Sequence, residues 1–529
     1  MVTAILYPEV HWADEHYQTL EPAFRIVYGF GVQAWEWQLG ARNYFVPSLY
    51  APVIFVMKLL GIDGGLLPII ACRLLNVLAS VLMLLQIWRF IELCSVSRLT
   101  QLVGLATLSL SGSMVAWGPT TLNDNWAMIF TWIAIPEILI GLKRGRQSEL
   151  WWIGLGFLFG LAFFAKFQTI VLAAAFFGAL FFYRNRLVYW CAFSYEISIL
   201  AYGLLDWVTW GYPFQSVIVN VQVNLSGFAE AHGTMPFWGY LRLWWDHGDR
   251  PLLVAVMIGA TLASVRNFKK LSGPFAIVLG ATLSYFLFCS AIKHKELRFI
   301  LPSLPAFYIL GVSGFETIFE RIRVPVPLAI SLLLTASITT WIFEYHPSRF
   351  HTLDLTRVSN AVLQDSRKSG RSISCVGFIG HHPIWSRGKM IYGQDVELKQ
   401  VDEKAQSTDC NYLIVGGWID RNQEIFKKFE AFYSDNKKNQ AMVRVALESA
   451  EFIPMKSLAA RAQSYPEVVQ GTAQFHQRIT DARFPQAEPI LHDATALDTT
   501  MDMLAPQPTL VEDLVRPLLR SPDPATTDY

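Results

Sequence analysis

"WWIGLGFLFGLAFFAKFQTIVLAAAFFGALFF" (residues 151–182) carries one charge, Lys166, between two apolar runs. A chain that crosses a bilayer needs about 20 apolar residues per passage, and two such runs back to back read as consecutive passages. The same pattern continues on both sides. Candidate spans lie at 66–94, 99–118, 124–142, 150–165, 167–183, 187–208, 251–265, 273–292, 299–315 and 325–343, about ten transmembrane helices in all. The composition agrees: 53% of the 529 residues are hydrophobic and 14% aromatic, and 16% are charged, where soluble domains carry about 25%. The expected fold class is therefore an all-α polytopic membrane protein. The segment "PSLYAPVIFVMKLLG" (47–61) is short and interrupted by Pro52, and is read as a helix lying against the membrane. The opening "MVTAILYPEV" has neither the basic flank nor the long apolar stretch of a signal peptide.

Orientation follows from the basic loops, which favour the cytoplasmic face. "KRGR" (143–146), "YRNR" (183–186), "RNFKK" (266–270) and "ERIR" (320–323) fall at alternate connections and so share that face. The opposite face then receives "GPTTLND" (118–124), the joint at Lys166, the long loop 209–250, "KHKELR" (293–298), the first 65 residues and everything after 343. One connection breaks the rule. "AIKHKELRF" (291–299) puts Lys293, Lys295 and Arg298 on the face that should be poor in cations. Two readings are open: lysines that snorkel from membrane ends, or a loop that holds something anionic such as a phosphate. Ionisable residues at membrane depth favour a functional reading.

On that same face stand two adjacent carboxylates, Asp14 and Glu15. A carboxylate can take the proton from an attacking hydroxyl while fixed cations stabilise charge on a departing phosphate. The plainer reading is that "DEHYQTLEPAFRIV" (14–27) begins an amphipathic helix and its acids cap it. Both can hold together.

These residues carry a resemblance. "ADEHYQTLEPAFRIVYGFGVQAWEWQLGARNYFVP" (13–47) resembles the first outer loop of the dolichyl-phosphate-mannose-dependent α-mannosyltransferases, through Asp14, Glu15, Tyr17-Gln18, Glu21, Tyr28-Gly29, Trp35-Glu36-Trp37, Arg42 and Pro47. "HKELRFILPSLP" (294–305) is similar to a second motif of that family. Asp206, Asn220, Gly233-Thr234, Pro236, Trp238 and Tyr240 are similar to a third, and "GLAFFAKFQTIV" (160–171) more weakly to a fourth, with Lys166 where the family usually has Arg. The likeness covers about residues 12–305, in order, and is nearest the GPI-anchor branch. Ala13, Ala34 and Asn43 depart from the family's Pro, Thr and Ser. The family's first span normally precedes the loop and 13 residues do so here, so a start upstream of Met1 is expected.

The resemblance implies a GT-C fold, a polyprenyl-phosphate-linked mannose donor, a glycan or glycolipid acceptor and inversion at the sugar carbon. Position by position it implies catalysis by Asp14 with Glu15 beside it. It places the donor phosphate against Lys293, His294, Lys295, Arg298 and Lys166. It puts the sugar and acceptor pocket at Trp35, Glu36, Arg42 and Gln18, with Glu296 orienting the basic loop. Neither a metal, another cofactor nor a nucleic-acid partner is expected, and the membrane would be the endoplasmic reticulum in a eukaryote or the inner membrane in a bacterium. Two competitors remain. One is a related enzyme moving another sugar from a polyprenyl phosphate. The other is a transporter or flippase, which inverted repeats and midplane charges would mark; neither is evident here.

After residue 343 the chain turns polar. "SISCVGFIG" (372–380) and "CNYLIVGGW" (410–418) read as buried strands and "NQEIFKKFEAFY" (422–433) as an amphipathic helix, so a small α/β domain is expected over 344–460. Residues 461–529 lack periodicity and are expected to be disordered. Cys72, Cys94, Cys191 and Cys289 sit in apolar runs as core residues. Cys375 and Cys410 begin or lie within the two strands, where an outward-facing compartment permits a bridge. His381-His382 lack carboxylate support and read as structural.

Overall fold

The structure is a computed structural model. It describes residues 14–310 except 63, 94–97, 147, 183–184, 226–233 and 248–272, and parts of 362–415: 362–363, 366–368, 370, 372–379, 388–392, 395–400, 410 and 412–415. A π-helical turn, Glu15–Leu20, runs into α1 (Glu21–Tyr28). α2 (Phe45–Leu59), α3 (Leu66–Leu93), α4 (Arg98–Leu110), α5 (Gly112–Trp117), α6 (Asn123–Arg144) and α7 (Glu149–Ala165) follow. Next come α8 (Ile170–Phe181), α9 (Arg186–Trp210), α10 (Gln215–Leu225), α11 (Gly239–His247) and α12 (Gly273–Ala291). A 3-10 turn, Leu297–Ser303, leads into α13 (304–310).

Among the described residues, α3, α6, α9 and α12 are long and apolar enough to cross a membrane. The expected spans 251–265 and 325–343 lie outside the described residues, as does 311–315, the end of the span expected at 299–315. Two expectations change. The span 99–118 is two helices, because the Ser111 side chain accepts the Met114 N–H at 3.2 Å and caps a new start at α5. The connection 209–250 is not all loop: α10 and α11 occupy much of it. The start of α10 is satisfied from ten residues upstream, where the Asp206 carboxylate accepts the Ser216 N–H at 2.9 Å and its hydroxyl at 2.6 Å.

Local chemistry sets the other boundaries. α6 closes on Gly145 in the left-handed region at φ 63°, with Lys143 and Arg144 in its last turn beside the exposed carbonyls. Ser148 caps α7, which stops where Lys166 turns extended (φ −153°). α2 is 15 residues long with Pro52 inside it, short of a full passage, and its buried face holds Tyr50 and Ile54 while Phe55 and Leu59 stand exposed.

The chain divides into two compact units. The larger comprises Met1–Trp35, Phe45–Ile199 and Met235–Ile453, and the smaller Glu36–Tyr44, Leu200–Thr234 and Pro454–Tyr529. In the larger, α6 packs on α3, α7 and the Leu297–Ser303 turn, and α8 packs on α12. A buried polar chain ties α6, α2 and α3: Trp126 Nε1–H donates to Tyr50 Oη at 2.6 Å, which donates to Asn76 Oδ1 at 2.9 Å. In the smaller, Tyr44 stacks on Trp210 and Trp37 lies tilted against both, with Trp210 Nε1–H donating to the Arg42 carbonyl at 2.9 Å.

After the helices, β1 (Cys375–Ile379), α14 (Gly388–Tyr392), β2 (Glu397–Gln400) and β3 (Tyr412–Val415) include a parallel three-stranded sheet in the order β2-β1-β3. β1 and β3 match the two expected strands; β2, ending in Lys399-Gln400, is too polar to be read as one. Cys375 and Cys410 form a disulfide across Cα atoms 4.4 Å apart, while Cys72, Cys191 and Cys289 are free and buried. Cys94, His381, His382, the expected helix 422–433 and the tail 461–529 lie outside the described residues.

α7 meets the first half of α9 through small residues. A Cβ on Gly156 would run into the Cys191 carbonyl oxygen, and one on Gly160 into the Ser198 side chain. Ser194 Oγ donates across to the Ile153 carbonyl at 2.6 Å. This is the close approach that small residues four apart permit between membrane helices. Gly156→Val should therefore cost about 1–3 kcal/mol of stability by overpacking, against about 0.6 kcal/mol for Ser194→Ala, which loses one interhelical hydrogen bond. Unfolding in detergent micelles reads both; an equal or smaller loss for Gly156→Val would refute the close approach.

Candidate active site

The opening turn brings the first carboxylates to different places. Asp14 sits at the N-cap position, yet its side chain makes no capping hydrogen bond. It is about one-third exposed (31%), and its Oδ2 lies 2.5 Å from Arg298 Nη2. Glu15 is fully buried: Arg73 Nη2 donates to both of its carboxylate oxygens at 3.2–3.3 Å, and the Thr121 N–H donates to Oε2 at 3.0 Å. Thr19 and Thr121 hydroxyls both donate to the Glu15 carbonyl. Consecutive residues of a helical turn point in different directions, so anchoring Glu15 inward leaves Asp14 facing the basic loop. Gln18 is buried on the same turn.

The basic loop is built around Arg298. Its guanidinium joins Asp14 on one side and Glu296 Oε2 at 2.7 Å on the other, and Glu296 Oε1 meets His294 Nε2 at 3.1 Å. Burial opposes ionisation of Glu296, but the Arg298 guanidinium and His294 outweigh it and hold the carboxyl at about 2. Lys295 is buried. Its ammonium donates to the Met235 carbonyl at 3.3 Å and to that of Ile292, and burial lowers its pKa. Lys293 is exposed, and its carbonyl accepts the Met235 N–H at 2.9 Å. Burial also pushes the Tyr240 phenol up, 5.8 Å beneath Lys295.

Lys166, at the joint between α7 and α8, forms an ion pair with Asp124 and stands 4.3 Å over the Phe299 ring, whose other contacts include Arg298 at 5.5 Å. So Asp14, Lys166, His294, Lys295, Glu296 and Arg298 gather in the larger unit. Glu36 and Arg42 belong to the smaller, where they pair at 3.7 Å, and Trp35 heads the short helix that contains Glu36. Sequence reading missed two partners, Arg73 and Asp124. Both were legible as charges inside or at the end of apolar spans, which are rarely unpartnered.

The helices of span length and this arrangement define an integral membrane protein of the GT-C fold. Its fold is shared with ArnT from Cupriavidus metallidurans, solved bound to undecaprenyl phosphate, at a TM-score of 0.51 and 11% identity, covering 83% of this chain and 90% of that one. A sequence model of the Alg9-like mannosyltransferase family matches residues 2–376, and the chain belongs to that family. Among its relatives is GPI mannosyltransferase 3 of Yarrowia lipolytica, 24% identical over 333 residues, which are 59% of each chain. GPI mannosyltransferase 3 of Candida albicans is 27% identical over 337 residues, 61% of this chain and 64% of that one. The chain thus spans about three fifths of the length of these curated relatives.

Two predictions test the site's wiring. Arg73→Met leaves the Glu15 charge buried without its main partner and should cost about 3–5 kcal/mol of stability, read by denaturation in detergent; a near-neutral result would remove the pair from the site's foundations. For Glu296, the folded carboxyl sits at about 2 against an ordinary 4.5. Its contribution is therefore complete above the higher value and lost as pH falls through the lower. Glu296→Gln should lower the thermal midpoint equally at about pH 5 and about pH 8; a difference that vanished at the lower pH would contradict the depressed carboxyl.

Proposed function

We propose that this chain is an inverting α-mannosyltransferase. It moves mannose from a polyprenyl (dolichyl) phosphate to a hydroxyl on a glycan or glycolipid acceptor of the GPI-anchor kind. The observation that carries this reading is the Arg298 bridge between Asp14 and Glu296, 2.5 and 2.7 Å away. It sets a partly exposed carboxylate against a cation-rich loop. The family membership and the naming of the relatives support mannose over another sugar.

In this reaction the acceptor oxygen attacks the sugar's anomeric carbon from the face opposite the phosphate. The bond from that carbon to the phosphate oxygen breaks, the acceptor proton passes to an Asp14 oxygen, and polyprenyl phosphate leaves. Attack from the opposite face turns a β-linked donor into an α-linked product. Arg298, Lys293 and His294 stabilise the departing phosphate, with Lys295 and Lys166 behind them. Glu15 is the anchor of the turn and not itself the base, since Arg73 and the Thr121 N–H occupy its carboxylate. The resemblance assigns Glu36, Arg42, Trp35 and Gln18 to recognition of the sugar and the acceptor. The enzyme works at the non-cytoplasmic face, the lumen of the endoplasmic reticulum in a eukaryote. It has about ten spans and a small α/β domain over 344–460, a reading the parallel sheet and its disulfide support.

A general base contributes on the order of 10²–10⁴-fold. Asp14→Asn should lower turnover by that much while donor binding survives. Lys293→Ala should raise the KM for the donor together with a fall in turnover, because phosphate contacts form before and during transfer. Radiolabelled polyprenyl-phosphate mannose with GPI-type glycolipid acceptors measures both. Near-normal turnover by Asp14→Asn would end the assignment of the base.

A further inference from the structure

The carboxylate of Glu21, apart from the cluster above, gathers three separate stretches of chain. Its Oε1 accepts the Val32 N–H at 2.9 Å, and its Oε2 accepts the Met390 N–H at 3.2 Å and lies 3.0 Å from His16 Nε2. Glu21 and His16 are both fully buried. A buried carboxylate is tolerated where hydrogen bonds replace water, and two of these three groups belong to the opening loop itself. The third comes from α14, in the connection between β1 and β2, which pair in parallel.

A second contact is independent of Glu21. Gly64, just before α3, approaches the same segment so closely that a Cβ there would stand 2.8 Å from the Met390 carbonyl oxygen and 3.2 Å from that of Ile391. Met390, Ile391 and Tyr392 are all buried, and α14 packs against both α1 and the Glu15–Leu20 turn. The polar segment beyond the membrane core is therefore built into the loop that bears Asp14.

We propose that Glu21 is a positioning residue. Through it the post-membrane segment Gly388–Tyr392 clamps the Glu15–Leu20 turn and fixes the direction of Asp14. The clamp stands on the contacts alone; its effect on turnover rests on the transferase reading above. Two variants of the full-length protein in detergent test it. Glu21→Gln replaces one acceptor oxygen with an amide facing an N–H, and Gly64→Ala displaces the 388–392 backbone while leaving every side chain of the opening loop in place.

Both should speed amide hydrogen exchange at 388–392 and at 15–20. Both should lower kcat by roughly 10²-fold, the cost of misplacing a reacting group by about 1 Å, with the donor KM unchanged. Faster exchange at 15–20 alone in Glu21→Gln would overturn the clamp, as would unchanged kcat and unchanged exchange at 15–20 in Gly64→Ala. If the unaltered protein transfers no mannose, the transferase reading fails by itself, and the exchange data still decide whether the segment clamps the turn.

Discussion

The buried pair between Arg73 and Glu15 is the constraint on which the rest depends. Arg73 lies in α3, a helix of membrane-crossing length, and is fully buried. Charges inside such helices are costly and are almost always partnered, and an unpaired one costs more in a packed interior. Glu15 answers it with both oxygens and also takes the Thr121 N–H. One carboxylate therefore ties three segments: the opening turn, α3 and the loop before α6. Without that tie the opening turn would lose its anchor to α3, and the remaining contacts, with α1, α2 and α14, would hold Asp14 less firmly.

How much of this was legible in the sequence depends on distance along the chain. Apolar length located α3, α6, α7, α9 and α12 to within a few residues, because in a bilayer the backbone must satisfy itself locally. Cap residues that act at a distance were invisible. Asp206 serves a helix start ten residues away, so no local motif announced α10 inside the supposed loop. Ser111 did obey the local capping rule, but the apolar run around it outweighed it. At the site, the resemblance assembled the residues of the two motifs, Asp14 and "KHKELR", that the fold brings into contact. It said nothing of Arg73 or Asp124, since neither lies in a motif and each is defined by its partner across the fold.

The separation of the two adjacent acids is a consequence of geometry more than of residue type. Both are carboxylates, and only the resemblance, not their residue type, put Asp14 ahead of Glu15. The turn directs one into a buried site where one guanidinium nitrogen and a backbone N–H donate to its oxygens, and the other, about one-third exposed, toward a single guanidinium edge. A base needs an oxygen free to receive a proton. Asp14 meets Arg298 through Oδ2 and stays partly exposed, while both Glu15 oxygens accept hydrogen bonds, so the proposed reaction divides structural from chemical duty between neighbours.

The charge count of the cluster bears on the proposed reaction. Four cations, Lys166, Lys293, Lys295 and Arg298, accompany three carboxylates, Asp14, Asp124 and Glu296, with His294 counted neutral. The cluster is thus one positive charge from balance. A sugar linked to polyprenyl phosphate is a phosphodiester and carries a single negative charge, so its binding brings the site to neutrality. Transfer turns it into a monoester able to hold a second negative charge, and in the same step Asp14 gains the acceptor's proton and loses its own. The total stays constant while charge moves from the carboxylate to the phosphate. In a poorly solvated membrane-edge site, where uncompensated charge is expensive, a base and a leaving group sharing the Arg298 neighbourhood let the reaction proceed without creating net charge.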